Sequence, residues 1–176
     1  ANAAELGIIQ TAHSWGREER LPTEFEAIVR QAYERSGVVW ACELARCMAF
    51  GAARFLYQRL RDGRPDNFYY SPELRVLERP QPGETTRHLL VRMLLDADLG
   101  GTAILTRRPS GRIRRVRPDW ATLIVGSPND PTTVGDDLDA ELLGVVYEPP
   151  NGRRELLPAD RVALFAPIPD PIGWYR

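Results

Sequence analysis

The stretch from Thr85 to Val125 constrains this chain more than any other. Thr85 reads as the cap of a helix, Thr86-Arg-His-Leu-Leu-Val-Arg-Met-Leu-Leu-Asp-Ala-Asp-Leu99, whose apolar residues recur at helical spacing. Gly100-Gly101 breaks it. Thr102-Ala-Ile-Leu-Thr-Arg-Arg108 reads as a strand and Pro109-Ser110-Gly111 as a turn. A second strand returns through Ile113 and Val116, and Pro118-Asp119-Trp120 leads into Leu123-Ile124-Val125. That order predicts an α+β body, a mostly antiparallel mixed sheet with about three helices packed on it.

A chain of 176 residues fits one domain with a real core. Apolar residues make up 43%, too many for disorder throughout. The net charge of −1 gives no overall basic field for nucleic acid. No run approaches the roughly 18 apolar residues of a membrane span. All 23 basic residues are Arg. Arg forms bidentate pairs suited to interfaces and phosphates, and a coding bias toward Arg would give the same count. Cys42 and Cys47 lie on one predicted helix, about 140° apart around its axis, so they cannot join in a disulfide. They read as two buried thiols in a reducing compartment. Nothing in the sequence resembles a secretory signal. Both ends look cut, as in a piece of a longer protein.

Residues 1–22 read as a flexible N-terminal arm, with His13 exposed and no partner ligand near it, and residues 23–176 as the domain. Thr23 and Glu26 form a capping-box pattern. The helix they open places Phe25, Ile28, Val29 and Ala32 on one face and Glu24, Arg30, Gln31 and Glu34 on the other. Ser36 caps a second helix, Val38 to about Phe50, apolar almost all round and therefore predicted to be buried on most sides. Arg54 to Arg61 reads as a strand closed by Asp62-Gly63. Residues 64–83 read as a Pro-rich segment with one helical turn at Ser71-Pro72-Glu73-Leu74, in which Phe68, Tyr69 and Tyr70 need cover.

Candidate chemistry is sparse. His88, Arg92 and Asp96 form a polar stripe on the central helix, with no second His or Cys to make a metal site. Asp96 and Asp98 diverge by about 200° on a helix, which separates them as a catalytic pair. Arg92 is placed to pair with Asp96 along the surface. Arg107, Arg108, Arg112, Arg114, Arg115 and Arg117 crowd the hairpin. A basic ribbon can contact phosphate or an acidic subunit face, but alternation splits these six between two faces. Residues 126–140 read as a surface loop whose acids lack the spacing of a calcium loop. Leu143–Tyr147, the Asn151-Gly152 turn, the return to Leu157 and a buried strand from Val162 to Ala166 close the chain, and Pro167, Pro169 and Pro171 stop regular structure. There is no internal repeat, and no Walker loop, G-x-G-x-x-G, G-x-S-x-G or H-E-x-x-H.

Four segments, in this order, resemble the portal proteins of tailed bacteriophages. They are Ser36-Gly-Val-Val-Trp-Ala-Cys-Glu-Leu-Ala-Arg46 running on into Arg54–Gly63; Leu77-Glu-Arg-Pro-Gln-Pro82, with Gln81 where Asn is common; Leu94 to Leu105 with its hairpin, where Gly101 is followed by Thr102 and Asn-Ala is common; and Leu157-Pro-Ala-Asp-Arg-Val-Ala-Leu-Phe-Ala166. The resemblance covers about residues 23–176. It implies a wing-region piece of a ring-forming structural protein, commonly of twelve copies, at one capsid vertex in the virion, assembled in the host cytoplasm. The implied partners are further copies of itself, the major capsid protein, the terminase large subunit, a head-completion adaptor and the double-stranded DNA that passes through. It implies no enzyme activity, cofactor, metal or membrane. Stem, clip and crown would lie beyond Arg176. Two readings compete with it. One is a stand-alone adaptor or nucleic-acid-binding module using the hairpin 107–117. The other is a hydrolase using His88 with Asp96 or Asp98.

Overall fold

The computed structural model describes residues 17–20, 24–127 and 140–168. The chain runs β1 (Arg17–Arg20), α1 (Phe25–Ile28) widening into a π turn (Val29–Tyr33), α2 (Gly37–Phe50), β2 (Tyr57–Arg61) and β3 (Arg64–Tyr69). A 3₁₀ turn (Pro72–Leu74) enters the short α3 (Arg75–Glu78). Then come α4 (Thr86–Gly100), β4 (Ala103–Arg107), β5 (Ile113–Val116), β6 (Ala121–Gly126), β7 (Glu141–Tyr147), β8 (Glu155–Pro158) and β9 (Val162–Phe165). The class is α+β, as the residue pattern predicts. The single sheet is corrected to three, and every pairing is antiparallel: β1-β6-β7-β8, β5-β4-β9, and β2-β3 alone.

The two larger sheets share one core. Ile104 and Val116 from one meet Leu123, Val125, Val145 and Leu157 from the other. Strand alternation explains the choice, because Leu123 and Val145 are opposite partners and face the same way. Ile124 and Val146, on the reverse face, are buried too, so β6 and β7 are apolar on both sides. Gly144 lets β8 approach, since a Cβ there would come within 2.8 Å of the Leu157 carbonyl.

The central helix carries the second layer. Leu89, Leu90, Leu94 and Ala97 of α4 are buried. Gly101 ends the helix at φ +81°, a backbone region that favours glycine. Gly100 has a different reason. A Cβ there would stand 2.9 Å from the Phe25 ring and 3.2 Å from Pro118, so its bare backbone is where α1 docks. The predicted α1 face holds: Phe25 is buried, Ile28, Val29 and Ala32 half-buried, and Glu24, Arg30, Gln31 and Glu34 exposed.

Several expectations change. Arg17–Arg20, inside the expected flexible arm, pairs with β6 as an edge strand. Thr23 and His13 lie outside the described residues, as do 128–139 of the expected surface loop and Pro169 and Pro171. The Asp62-Gly63 turn holds, with positive φ at both residues, 51° and 73°. Its return strand β3 falls inside the segment read as Pro-rich and irregular. Pro65 is tolerated because β3 pairs with β2 only and keeps a free edge. Cys42 is exposed and only Cys47 is buried.

Candidate functional site

Two surfaces come forward, one polar and one apolar. The polar one is the Arg-rich hairpin of β4 and β5, which the fold divides. Arg115 turns inward and grips the Asp96 carboxylate of α4 with both guanidinium arms. Asp96 is 3% exposed, so the predicted surface stripe with Arg92 is corrected: Arg92 pairs with Glu84 at 2.8 Å instead. Burial is the largest influence on Asp96 and lifts its carboxyl above the ordinary range, while the Arg115 guanidinium pulls the other way. Arg117 bonds Asp119 at 2.6 and 3.0 Å and stacks 4.0 Å over the Trp120 ring. Arg108 reaches Glu155 at 3.7 Å. Arg107, Arg112 and Arg114 stay exposed. Half of the basic ribbon thus serves the fold itself.

His88 also works locally. The Thr85 N–H donates to its Nδ1 at 3.2 Å, at the mouth of α4. Asp98 lies on another side of the helix and takes both arms of Arg46 at 2.7 and 2.8 Å. Glu43 lies beside that pair with its Oε2 shielded and unpartnered. Burial first, and the Asp98 charge second, push the Glu43 carboxyl above its ordinary value of 4.5. This cluster ties α2 to α4. Gly51 tightens the joint, as a Cβ there would meet Arg87 and Val91 at 3.1 Å. Among the described residues no group of three or more His, Cys, Asp or Glu gathers to hold a metal. No described helix is long and apolar enough to cross a membrane.

The apolar surface is the one the residue pattern misjudged. Helix α2 was expected to be buried on most sides, and in this chain only Cys47 is. Its Val39, Glu43, Cys47 and Phe50 side faces the body, with Phe50 stacked on Phe165 at 5.6 Å. The rest of the helix is open: Val38 is 75% exposed, Trp40 49%, Leu44 43% and Met48 58%. Covering a side chain of that size fully is worth about 1.5–3 kcal/mol, so an uncovered row is costly unless something meets it. The β2–β3 hairpin repeats the pattern. All of β2 and all of β3 except Asp66 are exposed, and the aromatics expected to be covered, Phe68, Tyr69 and Tyr70, are not. The signal was present in the sequence. A helix apolar all round needs cover everywhere, and periodicity does not say from which chain the cover comes.

No protein-family model and no curated protein matches the sequence. Solved structures do. This chain shares its fold with chains of gene transfer agent (GTA) particles. One, from the neck of a native GTA particle computed with C12 symmetry, superposes with a TM-score of 0.67 at 17% identity over 96% of this chain. Another, from the neck of an empty GTA particle computed with C6 symmetry, gives 0.70 at 18% over 96%. A third, from the virion of a native GTA particle, gives 0.63 at 18% over 93%. This chain spans 42%, 43% and 41% of the length of those three.

Proposed function

We propose that this chain is the wing-region portion of a portal-type ring subunit, a structural protein at the vertex of a phage-like particle. The observation that carries this reading is the overlap of nearly the whole chain with chains from rotationally symmetric necks. The four portal-like segments support it independently, because they fall on α2 with β2, on α3 and the run-in to α4, on α4 with its hairpin, and on β8 with β9. In this reading the chemistry is mechanical. Twelve copies close a ring, double-stranded DNA passes through it during packaging and ejection, and terminase, major capsid protein and the head-completion adaptor dock on parts of the subunit. Arg107, Arg112 and Arg114 are the hairpin arginines available for a DNA or subunit contact. The buried Asp96–Arg115 pair and the glycine-seated α1 brace the body against the loads such a ring carries.

The test is the mass in solution of the gene product at its full natural length, by light scattering coupled to size exclusion. The reading expects one species of ring mass, near twelve subunits. A single species of monomer mass from folded protein would reject it.

A further inference from the structure

Helix α2 is tied to the body lightly. Of its side chains only Cys47 is buried. Phe50 stacks on Phe165 of β9 at 5.6 Å, and the Arg46 guanidinium bonds both oxygens of Asp98 on α4 at 2.7 and 2.8 Å. An element with so few buried contacts opens locally at less cost than the whole fold, so each contact in the joint weighs on that opening.

The joint holds two carboxyls and one guanidinium. The Asp98 side chain keeps 10% of its exposure, and Arg46 gives its Nε and one Nη to it. Glu43 stands beside them with its Oε2 shut off from water and without a hydrogen-bond partner. A carboxylate so placed loses hydration and gains no donor, and the Asp98 charge repels it. A protonated Glu43 escapes both costs and has an O–H to donate toward Asp98. The other charges on the surrounding elements are engaged elsewhere: Arg92 with Glu84, Asp96 with Arg115, and Arg30 of the π turn with Glu26 at 2.6 Å. The π turn adds the Tyr33 phenol, β9 carries no titratable side chain, and Arg87 packs at the far, Gly51 end of α2. The Cys47 thiol lies one turn along from Glu43 on the same helix.

From this arrangement we infer that the α2–α4 joint is a proton-controlled clasp: α2 lies closed on α4 while Glu43 carries a proton, and opens more readily once that proton is lost. Burial and Asp98 raise the closed-state carboxyl above 4.5, so closing takes up a proton between pH 4.5 and the raised value. Opening therefore grows as pH rises through that window and levels off above it. The clasp does not rest on the ring reading, because every group in it belongs to one chain.

Hydrogen exchange of the full-length gene product, followed by mass spectrometry from pH 4.5 to neutral, tests it. Dividing wild-type rates by those of Glu43→Gln at each pH removes the intrinsic pH dependence of exchange. The ratio should rise several-fold with pH for the α2 amides and stay constant for the α4 amides. Asp98→Asn, which frees Arg46 for Glu43, should remove most of the rise. Maleimide labelling of Cys47 in a Cys42→Ser background should follow the same ratio. An ionised Glu43 acting on that thiol directly would slow it, so acceleration reports opening. A flat ratio in α2 would overturn the inference. So would an equal rise in α2 and α4, which is unfolding of the whole body, or a rise that Asp98→Asn leaves intact.

Discussion

Single residues show where this fold spends stability for position. Thr102, 0% exposed directly after the positive-φ Gly101, has a hydroxyl with no hydrogen-bond partner. Thr102→Val keeps the shape and removes the stranded group, so it should stabilise the protein by about 1 kcal/mol, seen as a higher midpoint in urea. Glu43 gives the pH dependence. Its carboxyl is raised above 4.5, so between pH 4.5 and that raised value the folded chain holds the proton more firmly than the unfolded chain does. Stability therefore falls as pH rises through that window. Glu43→Gln should flatten that part of the curve and raise Tm at neutral pH, as thermal melts at a series of pH values would read. An unchanged slope would contradict this assignment of the pH dependence to Glu43.

At the scale of elements, the decisive joint is α4 against β5, held by Asp96 and Arg115. Removing one partner of a fully buried pair costs about 3–5 kcal/mol. The Arg115 side chain keeps 30% of its exposure, and so can recover some hydration. Asp96→Ala should thus cost about 2–3 kcal/mol, measured by urea unfolding, and Arg115→Met added to it should return part of the loss. Which elements form was largely legible in the residues. Helical spacing gave α4, the Pro109-Ser110-Gly111 turn gave the β4–β5 hairpin, the Asp62-Gly63 turn closed β2, and apolar runs gave β6, β7 and β9. Which surfaces meet was less so. Asp96 and Arg115 are 19 positions apart, and nothing local tells an inward arginine from an outward one on a strand whose faces both carry Arg. β3 was missed because Pro65 reads as a strand breaker until its free edge is known. The open side of α2 was misread because apolar content reports a need for cover without naming its source.

At the scale of the molecule, the fold is a rigid β core with an apolar flank. The two larger sheets, helix α4 and the Phe25–Gly100 contact form one packed body, and the ring proposed above would require that body to keep its shape from copy to copy. The polar side chains singled out on α4 serve that body: Asp96 holds Arg115, Asp98 holds Arg46, Arg92 meets Glu84 and His88 accepts from the Thr85 N–H. One side of α2 and much of the β2–β3 hairpin expose large apolar side chains. These features fit the ring subunit proposed above. Electron micrographs of the purified full-length gene product test this most directly. Class averages should show a closed ring with rotational symmetry and a central opening; averages that show only single, well-folded particles of subunit size would contradict it.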